Sequence, residues 1–214
     1  MTSQNELPSA EKSLKQVNYA VASERMPVIP DDKMTDAQKR AATELIAGPR
    51  REVTGPFVAL MRSPELTRRV QKVGEYIRFI CPLDKRINEF AAIIVSRHWS
   101  QQFEWWAHYR QAIDAGLKST IADAIGEGRR PADMAEDEEI VYDFLSEVLN
   151  NKGASDATYQ RTVAKFGETG TIDLLGIAGY YGLQAMVMNV ARTAVPEGDP
   201  LPLSPLPCMT YRKW

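Results

Sequence analysis

Residues 86–116 read RINEFAAIIVSRHWSQQFEWWAHYRQAIDAG, and the fold follows from how this stretch is parsed. Asp84 stands just before it as a helix N-cap, and Ile87, Phe90, Ala91, Ile94 and Val95 recur at helical spacing. Ser100 offers a second cap, so the pattern predicts a break there and a new helix over 101–116. The stretch holds both histidines of the chain, His98 and His108, and three of its four tryptophans, Trp99, Trp105 and Trp106. Glu89 and Glu104 lie beside them.

The same punctuation continues on either side. Thr35-Asp36-Ala37-Gln38 reads as a capping box, and Gly48-Pro49 ends the helix it opens. Gly55-Pro56 makes a turn before a short apolar piece, 57–61. Ser63-Pro64-Glu65 supplies an N-cap, a first-turn proline and a first-turn acid. Leu66, Val70, Val73, Ile77 and Ile80 then mark one apolar face, closed by Cys81-Pro82. Downstream, Thr120 opens a short helix that ends in a turn at 126–131. Ile140, Val141, Phe144, Leu145, Val148 and Leu149 form an amphipathic stripe. Ser155 caps a helix ending near Gly167, and a last long helix runs from about Thr171 and fades by Val195. Strand-like alternation is missing, so the expectation is an all-α fold of seven or eight helices. The expected organisation is an N-terminal arm over 1–30, a helical domain over 31–195 and an extended, proline-rich tail over 196–214.

Composition bounds the rest. The chain has 214 residues, 44% hydrophobic and 25% charged, with a net charge of -2, which suits one globular domain and gives no global pull toward nucleic acid or membrane. Arg50-Arg51, Arg68-Arg69 and Arg129-Arg130 read as solvated faces. No run of apolar residues approaches the ~20 needed for a span, and the start of the chain has no signal-like apolar core. Cys81 and Cys208 form no C-x-x-C pattern, so a reducing, cytoplasmic setting is expected.

Glu104 and His108 are four residues apart and share a helix face. A carboxylate so placed can orient an imidazole for general acid/base work. Glu89, on the preceding helix, can face His108 if the chain turns at Ser100. Glu89 and His98 would point apart on one straight helix, which ranks His98 below His108. Blander readings stand beside these. An i, i+4 Glu–His pair is often a surface contact of roughly 0.2–0.5 kcal/mol, and tryptophans at helical spacing are often core. The histidines and glutamates lack H-x-x-x-H or E-x-x-H spacing, so no metal is expected. Gly176, Gly179 and Gly182 suggest close helix packing; alternatively, a hydroxyl of Tyr180 or Tyr181 reaches a pocket.

Glu89, Gln101, Glu104 and His108 also stand at the spacing of the active site in alkyl hydroperoxidase D-like proteins, where Glu is followed by Cys-x-x-Cys-x-x-x-His. The text NEFAAIIVSRHWSQQFEWWAH, then AIDAGL, resembles the carboxymuconolactone decarboxylase branch of that family, as do GPFVALMRSPEL, GEYIRF and DLLGIAGYYGLQAMVMN. The resemblance covers roughly residues 27–200. It implies an alkyl hydroperoxidase D-like helical bundle and a homo-oligomer, trimer or hexamer. With Gln101 and Glu104 at the cysteine positions there is no thiolate pair for disulfide exchange. The implied activity is a cofactor-free decarboxylase acting on a carboxylated lactone or related ring-cleavage product. His108, Glu89 and Glu104 would be catalytic, and His98, Gln101, Trp105 and Tyr181 would contact the small-molecule substrate. A related isomerase or hydrolase, or a non-catalytic binding protein of the same fold, remains the alternative.

Overall fold

The computed structural model describes residues 23–196 and 203–204; most of the expected arm and tail lies outside them. Among the described residues there are eight α-helices and no strand. They are α1 (Asp36–Ala47), α2 (Pro56–Leu60), α3 (Pro64–Glu75), α4 (Lys85–His98), α5 (Gln102–Asp114), α6 (Ser119–Gly126), α7 (Glu136–Asn151) and α8 (Asp156–Ala191). A π-helical turn, Tyr76–Ile80, follows α3 directly.

Helix α4 is the hub, packed against α5, α6, α7 and α8. Its residues from Ile87 through Arg97 are all buried, the polar Asn88, Glu89, Ser96 and Arg97 among them. Each fully buried Ile or Phe there contributes roughly 1.5–3 kcal/mol. Two of the buried polar side chains on this helix bond to main-chain carbonyls. Asn88 Nδ2 donates to Ile77 O at 2.8 Å, and Ser96 Oγ donates to Ala92 O at 2.8 Å.

Local punctuation mostly holds. Thr35 and Gln38 form the capping box, Asp84 Oδ1 accepts from Arg86 N, and Ser155 Oγ accepts from Thr158 N. The break between α4 and α5 falls at Ser100, which takes a left-handed φ of 48°. The cap of α5 is Gln101, however, whose Oε1 accepts from Glu104 N at 2.8 Å. A serine bent into the left-handed region makes the turn, and the next residue is the one placed to cap. Ser63 likewise sits at the cap of α3 without a side-chain bond. Helix α8 carries a kink at Gly167, φ 70° and ψ 175°, where the sequence implied a boundary between two helices.

The face expected on α3 is rotated. Val70 and Ile77 are buried, but Leu66, Val73 and Ile80 are exposed. The inward positions are Thr67, Val70, Gln71 and Gly74. Thr67 Oγ1 donates inward to Leu60 O at 2.6 Å, and the π turn then shifts the register so that Ile80 leaves the core. In α8, Gly176 and Gly179 meet open space rather than a packed neighbour, flanked by exposed Ile172, Leu175, Met186 and Val190. Close packing within the chain therefore does not explain those glycines. The same helix corrects the reading that no segment has the apolarity of a span. α8 reaches that length and composition, with a mean hydropathy of 1.3 over its apolar window. Of that window 56% is buried by the protein itself, as in a core helix.

Candidate active site

The turn at Ser100 folds α5 back along α4, and this sets the site. Glu89 on α4 is fully buried, and its Oε2 lies 2.6 Å from Nδ1 of His108 on α5. Behind it, Lys85 Nζ donates to Glu89 Oε1 at 2.5 Å from an exposed position one turn earlier. Burial alone would raise the Glu89 carboxyl. The His108 hydrogen bond and charge, with help from Lys85, outweigh it and hold the group at about 2. Glu89 is thus a carboxylate and must accept, so His108 Nδ1–H donates and Nε2 is left for the cavity in front.

That cavity has a volume of about 220 Å³. Arg50, Arg78 and Phe57 line the end it shares with an adjoining recess, the outer end, and the buried His108, Glu104, Tyr181 and Gln184 line the inner end; Tyr180, Gln111 and Trp106 complete the wall. Glu104 shares the face of His108 but makes no hydrogen bond to it among the described contacts; its Oε2 is buried without a partner. Burial drives its pKa well above the ordinary carboxylate value, which favours the neutral acid at Glu104 where Glu89 is held as an anion. The Tyr181 ring stands edge-on to His108, centroids 4.7 Å apart. Its hydroxyl is buried with no acceptor, and burial, with Glu89 second, holds it well above a normal phenol. Gln184 Oε1 is also buried and unpartnered.

The other residues named from sequence lie elsewhere. Gln101 is a helix cap and does not line the cavity. Trp105 packs beneath Gly126, where an added Cβ would lie 3.0 Å from its ring, and borders a separate surface groove. His98, at the end of α4, stacks edge-on with Trp99 at 5.8 Å and is not among the cavity residues. Sequence reasoning did not foresee Arg50 and Arg78. Arg50, taken with Arg51 as a solvated face, turns inward, where its Nη2 donates to Tyr180 Oη at 2.7 Å. Arg78 is presented by the π turn and donates through Nη2 to Gln111 Oε1 at 3.1 Å. The one sequence cue was Gly74. A Cβ there would collide with Tyr180 Oη and Arg50 Nη2, so the glycine makes room for that pair.

No family model matches the chain, and no curated protein matches it in sequence. Among solved structures, a protein of unknown function from Agrobacterium tumefaciens, provisionally described as an antioxidant defence protein AhpD, superposes with a TM-score of 0.57. The match covers 64% of this chain and 94% of that one, at 16% identity. The fold is alkyl hydroperoxidase D-like. That fold family includes enzymes, and likeness at this identity concerns the path of the backbone; the chemistry rests on the site. Among the described residues no group of three or more His, Cys, Asp or Glu side chains is placed to hold a metal. Cys81 is a free thiol, raised above its usual pKa chiefly by burial, and it is not among the cavity residues.

Proposed function

We propose that the protein is a cofactor-free acid/base enzyme, a decarboxylase of a small carboxylated lactone or related ring-cleavage acid. The observation that carries this reading is the buried Glu89–His108 pair opening onto a cavity that also holds a neutral Glu104. Two carboxyls pushed to opposite protonation states beside one imidazole are a common arrangement for proton transfer. In the proposed reaction the bond from a ring carbon to its carboxylate breaks and carbon dioxide leaves. The electron pair moves into the conjugated lactone carbonyl. Glu104 and Tyr181 donate hydrogen bonds to the resulting dienolate oxygen. His108 enters the cycle as the imidazolium, with both ring nitrogens protonated and Glu89 balancing its charge. It gives its Nε2 proton to carbon and takes a replacement from solvent once product leaves. The substrate is its own electron sink, so the residues present suffice.

The test is to follow carbon dioxide release or lactone absorbance across candidate ring-cleavage acids, with wild type and His108→Ala compared. A variant with full activity on a substrate the wild type turns over would remove His108 from the mechanism. Assembly as a trimer or hexamer belongs to the same reading, supported by the exposed apolar row on α8. Sedimentation should show an oligomer at micromolar concentration, and a monomer would contradict it.

A further inference from the structure

The outer end of the cavity is built differently from the inner end. Arg50 and Arg78 both line it, along with an adjoining recess of about 280 Å³ that Pro49, Thr54 and Phe79 help to wall. Each guanidinium is fixed over an aromatic ring, Arg50 at 4.7 Å from the Phe57 centroid and Arg78 at 5.6 Å from that of Phe79. Each is also tied by one Nη2 hydrogen bond to a neutral acceptor, Tyr180 Oη and Gln111 Oε1 respectively. The Nε atoms of both are buried with no acceptor.

Charge is left over as well. Among the described residues neither arginine has a carboxylate within ion-pair distance. Glu52 lines the same cavity from an exposed position without pairing to either, and Glu75 is paired with Lys72 at 2.8 Å. Two neighbouring cations with buried, unsatisfied donors cost free energy unless an anion completes them. A planar carboxylate matches two forked guanidinium groups geometrically.

We infer that Arg50 and Arg78 form a carboxylate-binding subsite at the outer end of the cavity, gripping a substrate carboxylate that is kept through the reaction. The term substrate rests on the acid/base reading; the anion subsite itself does not. A carboxylate stabilised by two arginines is a poor leaving group, because losing carbon dioxide would discard those contacts. The group that departs therefore lies away from the two arginines. The cavity of about 220 Å³ adjoins the recess of about 280 Å³ that the same arginines line, and the two guanidinium groups set the ligand class as an organic acid.

The experiment measures binding by isothermal titration calorimetry at pH 7, with benzoate and its neutral isostere benzamide as probes. Wild type should prefer benzoate roughly tenfold or more, the range of charge-assisted hydrogen bonds. Arg78→Gln and Arg50→Gln should each abolish most of that preference while leaving benzamide binding nearly unchanged, and Arg78→Lys should be intermediate. Because Arg50 also bonds Tyr180, circular dichroism would check the fold of its variant; Arg78→Gln and the wild-type comparison decide the question independently. His108→Ala should retain the preference, which separates this subsite from the catalytic proposal. Lack of benzoate binding at millimolar concentration, no preference in wild type, or a preference that survives both glutamine variants would overturn the inference. An intact preference in a protein that turns over no ring-cleavage acid would sink the decarboxylase reading and leave the subsite standing.

Discussion

The two ends of the cavity contrast in how their charges are compensated. At the inner end Glu89 is wholly buried and takes both His108 and Lys85 as partners, so each oxygen is matched inside the protein. At the outer end two arginines rest on aromatic rings with donors unfilled. A satisfied buried pair resists change and holds a geometry; an unsatisfied one is completed by something that arrives. The inner end is suited to moving protons and the outer end to gripping an anion.

The largest expected effect breaks the inner end. His108→Ala should lower turnover by roughly 10²–10⁴-fold. Glu89→Gln should approach the same loss, and the double variant should be little worse than either, since the pair acts as a unit. Initial rates of the three proteins check this, and additive losses would show that the residues act separately.

The next effect sharpens the comparison between the two carboxyls, because their pH signatures have opposite signs. Glu89 is depressed to about 2. Its contribution to stability is therefore present above the unfolded carboxylate value and lost as pH falls toward 2. Glu104 is raised, so the unfolded chain holds fewer protons than the native one above the ordinary carboxylate value, and stability declines as pH rises from there. Glu104→Gln should then cost activity yet raise the melting temperature at neutral and mildly alkaline pH. Glu89→Gln should lose both activity and stability. Thermal melts from pH 3 to 9 distinguish the two, and a lower melting temperature for Glu104→Gln at pH 8 would refute the assignment of a neutral acid.

A smaller effect concerns the outer end alone. Gly74→Ala should push Tyr180 and Arg50 apart and destabilise the protein by roughly 1–3 kcal/mol. Benzoate affinity should weaken while a His108-dependent rate per bound substrate is largely kept. Smallest is Cys81→Ser. The protein should show no thiol-dependent peroxidase activity, and this substitution should change nothing; peroxide turnover that disappears with Cys81 would mean the thiol was misjudged.

The contrast also explains what was legible in the sequence. Glu89, Glu104 and His108 fall within twenty residues on two helices joined by one turn, so periodicity and a single break suffice to bring them together. Tyr181 was visible as a candidate because its helix was. The structural places of Gln101, Trp105 and His98 were not legible, since capping, core packing and a helix end use the same residue types that contact substrates. Arg50 and Arg78 were hidden for a different reason. Arg50 belongs to an irregular segment before α2, and Arg78 to a π turn that breaks the 3.6-residue rhythm. The same turn and the inward Thr67 and Gly74 rotated the face of α3 away from its apolar pattern.

Lys85 gives the arrangement a rear door. Its ammonium is exposed, it touches Glu89, and it is not among the residues around the cavity. The Lys85–Glu89–His108 chain therefore joins bulk water to the imidazole from behind. Hydrogen entering from the back exchanges at Nδ1, whereas the hydrogen given to carbon sits on Nε2 and faces the cavity. With a substrate seated against the arginines to seal the front, only the Nδ1 hydrogen should keep exchanging with deuterated solvent, and nitrogen-resolved NMR of the bound imidazole reads that difference.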